Sequence, residues 1–133
     1  MAYYLYVIEL DKEVSKSIKF RKQSPDYLYG NRCFYVGQSA KAPLLRFKQH
    51  KKGYKSNTVA RRFGLRLVPK FYEKYNPIPT RKDAEELEEY LSNKLRELRY
   101  GVWSNWKFDL VSDNTKPILL WAVFLRKLNN EKI

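Results

Sequence analysis

Arg46 and His50 carry the first chemical signal in this sequence. They follow the strand-like run Tyr35-Val36-Gly37, and His50 is the only histidine among 133 residues. Two residues four positions apart lie on the same face of a helix, and the planar guanidinium of Arg matches the oxygens of a phosphate. With a glycine turn ahead of it, this spacing predicts a polar site for a phosphate group. The alternative is a solvated basic helix face.

Glu88 is the second residue with chemical potential, because it is a carboxylate beside an apolar helix face. On a helical wheel, five residues form that face: Ala84, Leu87, Leu91, Leu95 and Leu98. The other glutamates nearby point elsewhere: Glu85, Glu86, Glu89 and Glu97. A carboxylate at a buried edge needs a cationic or metallic partner. A structural salt bridge and a metal ligand therefore both remain open on this pattern.

The charge distribution indicates a polyanionic partner. The net charge is +13, and residues 27–72 contain eleven Lys and Arg but no Asp or Glu. Such a stretch favours nucleic acid, with an anionic membrane surface as the weaker alternative. One Cys and one His cannot build a zinc site. The sequence shows no glycine-rich phosphate loop either, so we expect no nucleotide cofactor.

Length and composition predict one compact intracellular domain. Of the 133 residues, 44% are hydrophobic and 16% aromatic, which suffices for a single core. The lone Cys33 predicts a buried reduced thiol and a cytoplasmic location, and the first residues lack a secretory pattern. The longest apolar run, residues 118–125, is shorter than a membrane span requires. It predicts core or an interface, with a homodimer contact as one form of the latter.

The strands that must position these residues follow from composition. Residues 2–10 and 32–36 predict two mostly buried strands that pair antiparallel, because aromatic and β-branched residues dominate both. Residues 11–31 predict a long polar connection with turns. Residues 65–72 predict a third strand, and residues 118–128 are compatible with either a helix or a strand.

Periodicity and capping residues predict the helices. They cover residues 42–52, about 57–62, and about 82–99. In the first, Leu44 and Leu45 lie on helical repeats. The third begins at a cap formed by Thr80 or Asp83 and is closed by Gly101. The resulting order is β-β-α-α-β-α.

Five positions form an ordered set of motifs. Tyr4-Leu5-Tyr6 comes first and Tyr35-Val36-Gly37 second, followed by Arg46, by His50 one helical turn later, and by Glu88 on the long helix. In this order the chain resembles the GIY-YIG nuclease superfamily, specifically its small single-domain members, over residues 2–100. Tyr4 replaces the name-giving Gly, and 28 residues separate the two tyrosine motifs.

The resemblance implies an α/β (α+β) sandwich around a small three-stranded antiparallel sheet. Residues 1–100 would form the nuclease domain, and residues 101–133 a C-terminal extension packed on it. Asn105 is the candidate for the terminal Asn of the family. The implied activity is divalent-metal-dependent hydrolysis of phosphodiester bonds in DNA, including structured or branched DNA.

The resemblance also implies a role for each site residue. Glu88 would hold one Mg²⁺ or Mn²⁺ ion, a hard cation that keeps several waters. Arg46 would clamp the phosphate oxygens. Tyr6 and Tyr35 would position or deprotonate the attacking water, with Tyr6 as the favoured base. His50 would share the proton transfer, because its ordinary pKa lies near neutrality.

Basic side chains around this site would follow a phosphate backbone. They are Lys41, Lys48, Lys51, Lys52, Lys55, Arg61 and Arg62. Two other functions remain open on the sequence alone. One is a non-catalytic nucleic-acid-binding module on the same scaffold, and the other is a ribosome-associated basic protein.

Overall fold

A computed structural model describes residues 2–104, which fold around one four-stranded sheet. The strands are β1 (Tyr4–Leu10), β2 (Cys33–Ser39), β3 (Gly64–Leu67) and β4 (Gly101–Ser104). The helices are α1 (Ile18–Gln23), α2 (Pro43–Lys52), α3 (Thr58–Phe63) and α4 (Arg81–Glu97). Short 3-10 helices cover Lys12–Lys16, Pro69–Phe71 and Glu73–Tyr75. The sheet order is β3-β1-β2-β4, so β1 and β2 are central.

The register between β1 and β2 brings the two tyrosine motifs side by side. The strands are antiparallel, with Tyr6 opposite Gly37 and Ile8 opposite Tyr35. Since side chains alternate along a strand, Tyr6 and Tyr35 project from the same face on diagonal positions. The predicted antiparallel pairing of these two strands is confirmed.

The strand that carries Tyr6 is held at both ends. β3 pairs with β1 from Ile8 to Leu10. Further back, the side-chain amide of Asn76 accepts a hydrogen bond from the Leu5 main-chain N–H and donates one to the Leu5 carbonyl, both at 2.8 Å. Because an Asn side chain offers one donor and one acceptor, it replaces a strand partner at this position. Tyr6 is therefore flanked by main-chain groups with fixed partners.

The long helix α4 packs on the sheet through its apolar face. Thr80 caps it, as predicted, by accepting a hydrogen bond from the Asp83 N–H at 3.1 Å. Its buried residues are Ala84, Leu87, Glu88, Leu91, Ser92 and Leu95. The wheel is confirmed for four of the five apolar residues, but Leu98 is 58% exposed because the helix ends at Glu97. Gly101 lies in β4 rather than closing the helix.

The sheet differs from the predicted three antiparallel strands by a fourth strand. Residues 101–104 were assigned to the C-terminal extension, but they pair in parallel with β2. Ser24 helps to hold them, since its hydroxyl accepts from the Val102 N–H at 2.8 Å and donates to the Val102 carbonyl at 3.0 Å. β4 covers the edge of β2 that β1 leaves open. The mixed α/β class is confirmed.

Two segments also differ from expectation. The polar segment after β1 contains a 3-10 helix and α1, capped by Asp11 and Ser17, and it buries Val14 and Phe20. β3 ends at Leu67, because Pro69 has no N–H for a strand ladder. The predicted strand thus continues as two short 3-10 helices.

On α2, His50 and the partly buried Phe47 turn inward, whereas the two leucines of the repeat do not. Leu44 and Leu45 are 58% and 47% exposed, whereas His50 is fully buried. The reason is that the sheet presents tyrosine rings to this helix, and His50 binds one of them.

Several predictions fall on residues that are not described. Asn105 and the apolar run at residues 118–125, with its proposed dimer contact, lie outside residues 2–104. Within residues 2–104, none of the helices has the length and apolar character needed to cross a membrane.

Candidate active site

Gly37 is required by the position of the Tyr6 ring. It lies inside β2, two residues before the strand ends, rather than in a turn. A Cβ atom at this position would lie 2.5 Å from Oη and 2.6 Å from Cζ of Tyr6. The Tyr6 phenol therefore rests directly on the glycine main chain of the facing strand. Tyr4, by contrast, is half-buried at the start of β1, opposite Ser39.

Tyr6, Tyr35 and His50 form one buried aromatic cluster. Their ring centroids are 6.0 Å apart for Tyr6 and Tyr35, 5.9 Å for Tyr6 and His50, and 5.4 Å for Tyr35 and His50. Each of the three side chains is at most 1% exposed. The strand pair β1 and β2 thus supplies two phenols, and α2 supplies the imidazole that packs against both.

His50 has a hydrogen-bond partner on each ring nitrogen. Nε2 lies 2.8 Å from Tyr6 Oη, and Nδ1 accepts the main-chain N–H of Asn57 at 3.2 Å. Burial, together with the nearby Arg46 charge, lowers the pKa of His50 from 6.5 to about 4. With this lowered pKa, His50 is uncharged at physiological pH.

The Tyr6 phenol is strongly held in its neutral form. Burial raises its pKa well above the ordinary value of 10.0. The charges of Tyr35 and Glu88 and a hydrogen bond with Tyr35 raise the pKa of Tyr6 as well, whereas the charge of Arg46 lowers it. These electrostatic effects place Arg46 and Glu88 in the neighbourhood of the same phenol oxygen.

Arg46 is oriented by main-chain carbonyl groups. Its Nη2 donates to the Lys55 carbonyl at 2.8 Å, and its Nη1 reaches the Tyr54 carbonyl at 3.4 Å and Gln49 Oε1 at 3.3 Å. Because the guanidinium is planar, these contacts define the plane in which its remaining N–H groups point. Arg46 is half-buried, so part of that plane faces solvent.

Glu88 is a buried carboxylate on α4. It is 5% exposed on α4, and its charge acts on Tyr6. In residues 2–104, no group of three or more His, Cys, Asp or Glu side chains could hold a metal ion. Any metal bound within these residues would therefore be held by at most two such side chains.

Comparison with known proteins decides the family. A family model described as the GIY-YIG catalytic domain matches residues 3–100. The chain belongs to the GIY-YIG family. This confirms the resemblance found in the sequence and places the chain in a nuclease superfamily. None of the curated proteins and none of the solved structures compared with it matches the chain.

The match spans every element of the GIY-YIG domain from β1 to α4. It includes all five residues that the sequence proposes for chemistry: Tyr6, Tyr35, Arg46, His50 and Glu88. The fold packs Tyr6, Tyr35 and His50 together, and the charges of Arg46 and Glu88 act on Tyr6, although 82 positions separate Tyr6 from Glu88.

A cationic cleft opens beside Arg46 in this GIY-YIG domain. It has a volume of ≈ 450 Å³. Its lining residues are Tyr3, Gln38, Ser39, Ala40, Lys41, Arg46, Gln49, Tyr54, Lys55 and Arg81. Four of them are Lys or Arg, and none of these described lining residues is acidic. The sequence prediction did not include Tyr3, Gln38 and Arg81. Arg81 joins the cleft only through the packing of α4.

The remaining predicted basic contacts fall into two groups. Lys48 and Lys52 are exposed on α2. Lys51 is exposed overall, but its ammonium donates to the Arg61 carbonyl at 3.0 Å and to the Gly64 carbonyl at 2.9 Å. Lys51 thereby ties α2 to the junction of α3 and β3.

Arg61 and Arg62 are exposed on α3. The guanidinium of Arg62 lies over the Phe63 ring, 5.2 Å from the ring centroid. Arg61 and Arg62 belong to the same acid-free basic stretch, residues 27–72, as the lysines of α2.

Proposed function

We propose that this GIY-YIG protein is a divalent-metal-dependent endonuclease that hydrolyses phosphodiester bonds in DNA. The observation that carries the proposal is that Tyr6, Tyr35 and His50 pack together, that the charges of Arg46 and Glu88 act on Tyr6, and that Arg46 also lines a cationic cleft. Phosphodiester hydrolysis needs an activated water, a cation at the phosphate and help for the leaving oxygen. The cluster contains residue types for each of these tasks.

Glu88 fits the requirements of a hard divalent cation. Mg²⁺ usually keeps several waters and is bound by one or two carboxylates together with substrate phosphate oxygens. A buried carboxylate whose charge acts on Tyr6 is compatible with that pattern, and Mn²⁺ accepts the same oxygen ligands. The bound ion would polarise the phosphate and stabilise the leaving oxygen.

Arg46 and the tyrosines would act on the substrate directly. The N–H groups of Arg46 that are not bound to main-chain carbonyls would hold the non-bridging phosphate oxygens. Tyr6 and Tyr35 would orient the attacking water, with Tyr6 as the favoured proton acceptor. To act as a base, Tyr6 would first have to release its own proton to solvent; burial, Tyr35 and Glu88 oppose that ionisation, and the positive charge of Arg46 favours it.

The basic surface would bind the DNA backbone outside the cleft. The candidates are Lys41, Lys48, Lys52, Lys55, Arg61 and Arg62, with Lys51 serving mainly to hold α2. Contacts of this type give affinity that falls with salt and carry little sequence information.

The test compares wild-type protein with Glu88→Gln on plasmid and oligonucleotide DNA in Mg²⁺, in Mn²⁺ and in EDTA. We expect Glu88→Gln to bind DNA as the wild type does but to cut at least 100-fold more slowly, the loss typical of one transition-state contact. Glu97→Gln is the matched control, since it removes the same charge from an exposed position of the same helix.

Each outcome has a distinct meaning. Unchanged cleavage by Glu88→Gln in Mg²⁺ would refute the metal assignment. Cleavage of RNA but not DNA would refute the substrate. DNA binding without cleavage by the wild type would identify a nucleic-acid-binding module on this scaffold.

A further inference from the structure

The orientation of His50 contains information about its proton. A main-chain N–H can only donate, so the bond from the Asn57 N–H makes His50 Nδ1 an acceptor. A neutral imidazole carries one hydrogen, on either Nδ1 or Nε2. With Nδ1 accepting, the hydrogen must be on Nε2, which lies 2.8 Å from Tyr6 Oη.

We infer that the main chain of Asn57 is a positioning group that holds His50 in its Nε2–H tautomer and thereby makes His50 a donor to the Tyr6 oxygen. This assigns a role to Asn57 that the motifs do not indicate. Its catalytic consequence rests on the proposed nuclease function, whereas the tautomer itself does not.

The opposite tautomer would be unfavourable in this site. A hydrogen on Nδ1 would face the Asn57 N–H across 3.2 Å, so two donors would meet at a part-buried contact where a donor and an acceptor now pair. Adding a second hydrogen to the ring would create the same conflict. The site therefore disfavours every state of His50 in which Nδ1 carries a hydrogen.

Asn57 can serve in this way because it begins α3. As the residue before the helix, it has an N–H that makes no intrahelical bond. Its side chain independently caps α3 by accepting from the Val59 and Ala60 N–H groups at 2.8 and 3.3 Å. The cap fixes the backbone of Asn57, and the backbone fixes the imidazole of His50.

The tautomer of His50 also sets the direction of its hydrogen bond with Tyr6. Because the His50 N–H points at the Tyr6 oxygen, the hydroxyl hydrogen of Tyr6 must point away from His50. Its other hydrogen-bond neighbour is Tyr35. His50 thus stabilises Tyr6 as an acceptor and does not receive its proton, which changes the role first expected for this histidine.

Nitrogen NMR of the wild-type protein tests the tautomer directly. His50 is the only histidine, so histidine-selective ¹⁵N labelling gives one pair of ring signals without an assignment problem. At pH 7 we expect Nδ1 to resonate as an unprotonated nitrogen and Nε2 as a protonated one. The reverse pattern, or averaged signals from both tautomers, would overturn the inference.

Two variants of Asn57 separate its main chain from its side chain. Asn57→Ala removes the side-chain cap and keeps the N–H, whereas Asn57→Pro removes both. The native φ of −78° is compatible with proline. We expect Asn57→Ala to keep the wild-type ring signals. In Asn57→Pro the signals should average, and cleavage should fall about tenfold or more below that of Asn57→Ala. Equal spectra and equal rates in both variants would refute the role of the main chain.

A substitution of His50 itself tests its role as a donor even if the proline variant does not fold. The amide of Gln offers one donor and one acceptor but cannot take up a proton. We therefore expect His50→Gln to keep at least tenfold more activity than His50→Leu. Equal loss in both would show that His50 exchanges a proton. A wild type with the expected spectrum that cuts no nucleic acid would refute the proposed function and leave the tautomer standing.

Discussion

Gly37→Ala is the substitution for which the structure gives the sharpest expectation. The added Cβ would lie 2.5 Å from Tyr6 Oη, 2.6 Å from Tyr6 Cζ and 3.0 Å from Tyr35 Cε1. Ordinary contacts of a Cβ atom begin at 3.4 Å, so the phenol must retreat by ~0.9 Å, the difference between 3.4 and 2.5 Å. Tyr6 is 1% exposed and has His50 at 2.8 Å, so it has no open space into which to move.

Two measurable effects follow from this displacement. Extra atoms in a packed core cost about 1–3 kcal/mol of unfolding free energy. A catalytic group misplaced by about 1 Å loses on the order of 100-fold in rate. We expect Gly37→Ala to show both effects, in denaturant unfolding and in single-turnover cleavage of a labelled DNA at a temperature where the variant is folded.

Gly101→Ala is the matched control for Gly37→Ala. Its Cβ would lie 2.7 Å from Phe20 Cε1 and 3.0 Å from Cys33 Sγ, so it overpacks the same sheet at the other end of β2. We expect a similar loss of stability without the loss in rate. A wild-type rate in Gly37→Ala, or an equal loss of rate in both variants, would refute the claim that Gly37 positions Tyr6.

Three further predictions concern charged residues. Arg46→Lys should bind DNA but cut it about 100-fold more slowly, because an ammonium cannot keep the carbonyl contacts and also grip a phosphate; retained cleavage would contradict this. Glu9→Gln should lose about 1–3 kcal/mol of stability at pH 7, because the hydrogen bond from Arg32 lowers the pKa of Glu9 below 4.5. The stability difference between the wild type and Glu9→Gln is fully present above the pKa of Glu9 in the unfolded chain, and it should vanish as the pH falls through the lower pKa of Glu9 in the folded protein. Urea titrations from pH 7 to pH 3 would measure it. A stability difference that does not change with pH would refute the prediction. Lys48→Ala should reduce the salt dependence of DNA binding by about one phosphate contact, whereas Lys51→Ala should mainly reduce stability by about 1 kcal/mol, since its ammonium binds two main-chain carbonyls; the reverse assignment in binding and unfolding experiments would contradict the structure.

Local patterns were sufficient for elements whose cause lies within a few residues. The start of α3 at Asn57 and of α4 at Thr80 follow from side chains that cap main-chain N–H groups two or three positions away. β1 and β2 follow from runs of aromatic and β-branched residues. The buried position of Glu88 follows from helical periodicity, which relates neighbours on one turn.

Local patterns do not predict contacts between segments that are far apart in the chain. The leucines of α2 have helical spacing, yet the helix turns His50 inward because Tyr6 and Tyr35 lie there. The short strand β4 has too few residues for a periodic signal, and it forms because the edge of β2 is open.

The sequence by itself indicated a member of the GIY-YIG family, with five candidate site residues in order and a strongly basic segment over residues 27–72. Only the tertiary structure decided how they work together. Gly37 is needed because a tyrosine from the facing strand rests on it, and His50 is uncharged because burial and Arg46 lower its pKa to about 4. Lys51 serves the fold because two carbonyls lie within reach. Each of these properties depends on atoms that are distant in the chain, and only folding brings them into contact.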